Sequence, residues 1–211
     1  MTIAQRADAL EHRMSDELDR LVVKSVIYES GETDPTRPRF GPAAHVLQSA
    51  AHARNAGQPE TVVLACLLHD ISVIGFIRAD HGYWAAQLVA PYVSEEVSWA
   101  IAQHQVLRFF ADESVGYAYP EMYVKFFGDA YLPDPHIQRA YERARNHPWY
   151  MTARLITMND IYSFDPNAKV DLEDFADVIA RNFRQPEEGL GFDDSPAAHM
   201  WRTIMRPTRF L

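Results

Sequence analysis

The apolar run Val62-Val63-Leu64-Ala65-Cys66-Leu67-Leu68 constrains this chain more than any other stretch. Such a run predicts a buried helix, and it delivers His69 and Asp70 together at its end. Burial leaves an imidazole and a carboxylate unsatisfied unless something pairs with them, and a metal ion is the natural partner. The two oxygens of an Asp can bridge two cations while the neighbouring His binds one, so the pair can seed a mononuclear or a dinuclear site. Taken alone, the dipeptide also fits a hydrogen-bonded core His beside a helix-ending Asp. What separates the two readings lies elsewhere in the chain.

With 211 residues, 47% of them apolar, the chain can bury one sizeable core, and the expectation is a single domain over 1–211. The single cysteine, Cys66, excludes an intramolecular disulfide framework and fits a reducing compartment. No stretch approaches the roughly 18 uninterrupted apolar residues of a membrane span, and the N-terminal sequence lacks the basic-then-apolar order of a signal peptide. These features predict a cytoplasmic protein with no membrane partner. A formal net charge of -9 argues against nucleic acid as a partner, while leaving room for a local basic pocket that takes a small anion.

Residues 4–27 carry an amphipathic helical pattern, and 28–42, with two glycines and three prolines, read as a loop that is either a lid bearing Tyr28 and Glu32 or an exposed connector. Residues 43–56 read as a helix stopped by Gly57, with His45 and His52 on one face and one of them buried. Pro59 suits the first turn of the helix that ends at His69-Asp70. After a predicted loop over 71–80, His81 opens a helix capped by Asp80. Ser94 reads as the N-cap of a helix over 95–110, on which Val97, Ile101 and His104 form an inward stripe. Arg108 lies one turn further along, as an anchor for an anion or a surface partner of Asp112 or Glu113.

Residues 111–135 are rich in aromatics, Gly and Pro around a short helix at 122–127. If they form a pocket wall, Tyr119, Tyr123 and Lys125 are the candidate ligand contacts; otherwise they are core. Helices are predicted over 135–146 and 150–163, the latter bearing Asp160 among apolar neighbours, which implies a cation or a hydrogen-bond network. Residues 171–183 read as an amphipathic helix, followed by an acidic loop and a last helix capped by Ser195. No repeat, CxxC pair, phosphate-cradling glycine loop, GxSxG elbow or extended strand is present in the sequence.

His45, His69, Asp70, His81, His104 and Asp160 together make six potential ligands, each on or beside a predicted helix. His45, His69, Asp70 and Asp160 would complete the protein share of one octahedral ion. A bridging Asp70 with His81 and His104 would hold a second ion with positions left open for chemistry. The order of His45, His69-Asp70 and Asp160 resembles the HD-domain superfamily, and the two further histidines mark its dinuclear subset. More narrowly, residues 28–164 are similar to the mixed-valence diiron oxygenases that include the phosphonate-cleaving HD oxygenases and, more remotely, myo-inositol oxygenase. His104 followed by Arg108, and the stretch NHPWYMTARLITMND, carry that likeness.

The resemblance implies an all-α HD-domain bundle with a dinuclear site at its centre and helical embellishments at both ends. It also implies two iron ions, Fe(II) and Fe(III), held by the six ligands and bridged by Asp70. Dioxygen and a small hydroxylated, anionic substrate such as an organophosphonate or a polyol-like compound would be the reactants, with C–C or C–P cleavage as the outcome. By the same likeness Asp70, Tyr28 and Glu32 serve catalysis and Arg108 contacts substrate; Lys125, on the aromatic stretch, and Thr157, at the position of a family Arg, are the further candidate substrate contacts. Imidazole and carboxylate suit iron, and the same set would also hold Mn, Co, Ni or Zn.

Two departures bear on substrate. Thr157 stands where phosphonate-cleaving members place an Arg, and Tyr28 and Glu32 lie farther from the first His than the lid pair of those members. The alternative is a metal-dependent HD phosphohydrolase acting on a nucleotide or other phosphate ester, against which Val73 stands where a water-assisting Glu is expected. A noncatalytic HD module ranks third, because such a role does not need six ligands.

Overall fold

The computed structural model describes residues 42–74, 79–128, 130–161, 163–165 and 167–184. All of these but Arg184 fall within one compact unit, Val22–Phe183. They are helical, with no strand among the described residues; the sole pairing of extended backbone there is a single antiparallel bridge between Asp112 and Tyr117. No helix among them is long and apolar enough to cross a membrane.

The chain enters this region in α1 (Pro42–Asn55), which stops at Gly57. There a positive φ of 67° lets the Gly57 and Gln58 amides fold back onto the carbonyls of Arg54 and Ala53, a Schellman ending open to glycine at little cost. The apolar run becomes α2 (Glu60–Leu68), where every residue from Val62 to Leu67 is buried. A helix apolar on all sides is stable only when other helices surround it. Here α2 packs against α1, against α5 (Glu95–Leu107), against α8 (Tyr150–Asp160) and against α9 (Ala176–Asn182). Ala50 and Ala53 on α1 are fully buried, so small side chains let α1 approach α2 closely.

Around this centre, α3 (Ile71–Ile74) and α4 (His81–Val89) follow α2, and α4 packs along α5. Gly82 marks that contact: a Cβ there would lie 2.9 Å from the Ile101 carbonyl oxygen and 3.0 Å from the His104 ring. The remaining elements are η1 (Glu113–Val115), α6 (Glu121–Phe127), α7 (Pro135–Arg145) and η2 (Leu172–Phe175).

Several sequence expectations are corrected. The loop over 71–80 begins with the single turn α3, whose Ser72 is fully buried and donates to the His81 carbonyl. Asp80 sits at the start of α4 in a left-handed conformation and makes no side-chain cap there. The α5 helix stops at Leu107 and α8 at Asp160, each about one turn before the predicted end. Residues 171–183 are a 3-10 turn followed by a short α-helix. Ser94 does cap α5, its hydroxyl accepting from the Val97 amide at 3.3 Å. The helix predicted over 4–27 and the segment from 185 onward lie outside the described residues.

Candidate metal centre

The helix ends converge. His45 comes from the first turn of α1, His69 and Asp70 from the end of α2, His81 from the start of α4, His104 from the last turn of α5 and Asp160 from the last residue of α8. Their ligating atoms form three overlapping clusters: His45, His69 and Asp70; His69, His104 and Asp160; and Asp70, His81 and His104. Asp70 faces both sides, with Oδ2 3.8 Å from His45 Nε2 and Oδ1 3.5 Å from His69, 3.2 Å from His81 and 3.8 Å from His104. Asp160 Oδ1 lies 2.8 Å from His45 Nε2 and 3.8 Å from His69 Nε2.

Backbone carbonyls set the tautomers of three imidazoles. Nδ1–H donates to the Ser163 carbonyl from His45 (3.0 Å), to Cys66 from His69 (2.8 Å) and to Ile101 from His104 (2.6 Å). A carbonyl only accepts, so each ring carries a proton on Nδ1 and turns Nε2 toward the cluster, the arrangement of a metal-ligating His with an oriented outer partner. His81 is held differently. The Gly82 amide needs an acceptor and finds Gln105 Oε1 at 2.8 Å, which turns the Gln105 amide nitrogen to His81 Nδ1 at 3.1 Å. His81 Nε2 therefore carries the proton and bonds His104 Nε2 at 3.2 Å. A cation shared by Asp70, His81 and His104 would replace that bond, with the His81 proton moving to Nδ1 as the neutral ring changes tautomer.

Charge favours a cation here. His69 Nε2 and Asp70 Oδ1 are buried and make no hydrogen bond, which is costly unless an ion completes them. Burial opposes ionisation of Asp160, but the Arg108 guanidinium, with His45 at 2.8 Å and His69 nearby, outweighs it and holds this carboxyl well below the usual carboxylate range. Burial, with His69 and Arg108 as charged neighbours, holds His104 well below the ordinary imidazole value, in the neutral form a metal requires. Burial also opposes charge on His69, yet Asp70 and Asp160 raise its pKa. Orphaned acceptors, carboxylates kept ionised and Nε2 atoms turned inward fit one or two divalent transition metals.

Beside the cluster lies a cavity of about 460 Å³ whose walls include Arg108, Asp160, Tyr119, Tyr123, Met158 and Phe164. Arg108, at the end of α5, reaches across to bond Asp160, not Asp112 or Glu113. Thr157 is fully buried within hydrogen-bond reach of the His104 and Ala153 carbonyls, so it braces α8 on α5 and does not line the cavity. Lys125 is exposed on α6 and outside the cavity wall. Tyr28 and Glu32 lie outside the described residues.

Sequence reasoning missed Arg154. Its fully buried guanidinium donates to the Leu107 carbonyl at 2.9 Å and to Tyr150 Oη at 3.0 Å, and lies 4.6 Å from the centre of the Tyr117 ring. It thus satisfies the C-terminal end of α5, the element that carries His104 and Arg108. The four-residue spacing of Tyr150 and Arg154 was the available signal, and an i,i+4 pair alone does not reveal burial. No protein-family model matches the chain, and no curated protein matches it.

Proposed function

We propose that this chain is an HD-type diiron oxygenase that uses O2 to cleave a small hydroxylated, anionic substrate oxidatively. The observation that carries the reading is the convergence of His45, His69, Asp70, His81, His104 and Asp160 beside a cavity that holds Arg108. His45, His69, Asp70 and Asp160 would hold one iron, and Asp70, His81 and His104 the other, with Asp70 as the bridge. The iron pair would supply the electrons for dioxygen activation and a Lewis acid for the substrate hydroxyl.

The chain's own residues have defined tasks in this scheme. Arg108 takes the acidic group of the substrate by a charge-assisted contact, which fixes the orientation of the hydroxyl-bearing carbon toward the cluster. Asp160 holds Arg108 in place beforehand, so little side-chain freedom is lost on binding. The Nδ1–H bonds to Ser163, Cys66 and Ile101 keep three ligands from rotating. Tyr119, Tyr123, Met158 and Phe164 screen the reacting carbon from bulk water.

The test is metal analysis of freshly purified protein, low-temperature electron paramagnetic resonance after partial reduction, and O2 uptake with hydroxy acids and hydroxyphosphonates. About two irons per chain, with a mixed-valence signal perturbed by a hydroxylated anion, is the expected result. Zn, Mn or Co with no such signal after iron reconstitution, together with phosphate release from nucleotides or other phosphate esters, would replace this reading with a metal-dependent phosphohydrolase on the same ligand set.

A further inference from the structure

Two donors on residues that line the cavity have no partner: Arg108 Nε and Tyr119 Oη are buried and make no hydrogen bond. Leaving both donors buried and unpaired is unfavourable, so the cavity is matched to a ligand that brings acceptors. Burial, with Tyr131 and Tyr123 nearby, raises the Tyr119 pKa, which keeps its hydroxyl protonated and able to donate.

The rest of the wall asks for something else. Met158, Ile161, Phe164, Pro120 and Ala118 offer apolar surface, and the Tyr117 hydroxyl is already committed to the Arg108 carbonyl at 3.1 Å. Asp160 is occupied by His45 and Arg108, and the other carboxylate on the wall, Glu121, belongs to an exposed residue. Beyond the Tyr123 hydroxyl and the Glu121 carboxylate the wall offers a polyhydroxylated ligand few partners, and each hydroxyl left unpaired costs about 1–3 kcal/mol. A volume of about 460 Å³ lies within the range of small-molecule sites and has room for a ring.

We propose that the substrate is a small hydroxy acid whose anionic end is bound by Arg108 and Tyr119 and whose body is apolar and of aromatic size, rather than a polyol. The inference rests on the reading that this cavity is the substrate site of the metal cluster. The anion supplies the acceptors, the ring covers Met158, Ile161 and Phe164, and the hydroxyl is the one polar group directed at the cluster.

Titration calorimetry on the full chain, as purified and after chelation, tests it with three probes: 2-hydroxy-2-phenylacetate, glycolate and benzyl alcohol. The phenyl hydroxy acid is expected to bind at least about 10-fold more tightly than either fragment, since one lacks the apolar body and the other the charge. Tyr119→Phe, which removes one oxygen from a partly buried ring, should weaken both acids about 10-fold and leave benzyl alcohol unchanged. A general loss of structure would weaken all three probes alike, so this pattern separates recognition from folding. Equal affinity for glycolate would overturn the apolar body, and equal affinity for benzyl alcohol would overturn the anion site. Binding of the acids that ignores Tyr119→Phe and Arg108→Gln but vanishes on chelation would place the anion on the metal instead and sink the proposal, as would no binding of any probe. Tight, Tyr119-dependent binding without O2 uptake would leave this inference standing and remove the oxygenase reading alone.

Discussion

Asp70 is the residue on which both halves of the candidate centre depend, because its two oxygens face His45 on one side and His69, His81 and His104 on the other. Asp70→Ala is expected to lose both metals, read as metal per chain by mass spectrometry; retention of two full equivalents would refute the bridge. Arg108→Ala is expected to keep the metals and lose substrate affinity. In the chelated protein the same change takes the guanidinium away from Asp160, which is 2% exposed, and should cost about 3–5 kcal/mol. With metal bound the cost should be much smaller, so thermal melts with and without chelator separate the two states. Asp112 gives a pH test at a carboxyl outside the candidate ligand set. Hydrogen bonds from Ser114 and Tyr150, with Arg145 nearby, hold its carboxyl below the usual value against some burial. A depressed folded pKa gives stability that is complete above the unfolded value of about 4 and fades as pH falls below it. The difference in Tm between the wild type and Asp112→Asn should therefore be largest near neutrality and shrink from pH 4 to pH 3.

At the scale of elements, the site depends on how closely α4 and α5 approach. His81 and His104 reach one another because Gly82 leaves no side chain between the helices, and the Ile101 carbonyl beside it is backbone that cannot swing aside. Gly82→Ala is expected to destabilise the fold by about 1–3 kcal/mol and to reduce occupancy of the Asp70–His81–His104 cluster before that of its neighbour. Metal titration of the variant, followed by calorimetry, would show whether the first equivalent survives. The α2 helix sets the other spacing. Leu64 is fully buried at its centre, and Leu64→Ala should cost about 2–5 kcal/mol in urea unfolding. Periodicity showed these helices because apolar spacing is a local property. It placed α1, α2 and the start of α5 well, and it erred where tertiary bonds end a helix early or start one, as at Leu107, Asp160 and Ser72.

On the scale of the whole molecule, a centre built from the ends of α1, α2, α4, α5 and α8 ties together segments 115 residues apart, from His45 to Asp160. A bound ion closes that loop only in the folded chain, so metal stabilises by mass action. Chelation is expected to lower Tm by several degrees and readdition to restore it; at free metal 100-fold above Kd the stabilisation is about 2.7 kcal/mol. An unchanged Tm would mean that the cluster holds no ion.

The sequence by itself determined that the described region is helical, that 62–68 forms its buried centre, and that six histidines and aspartates stand on or beside helices, since spacing and burial propensity are written locally. Only the tertiary structure decided that those six converge, that Arg108 turns to Asp160, that Thr157 braces a helix, and that Arg154 caps the end of α5. Each of those outcomes depends on which helix end faces which across the core. That is fixed by packing between residues far apart in the chain, where local periodicity carries no information.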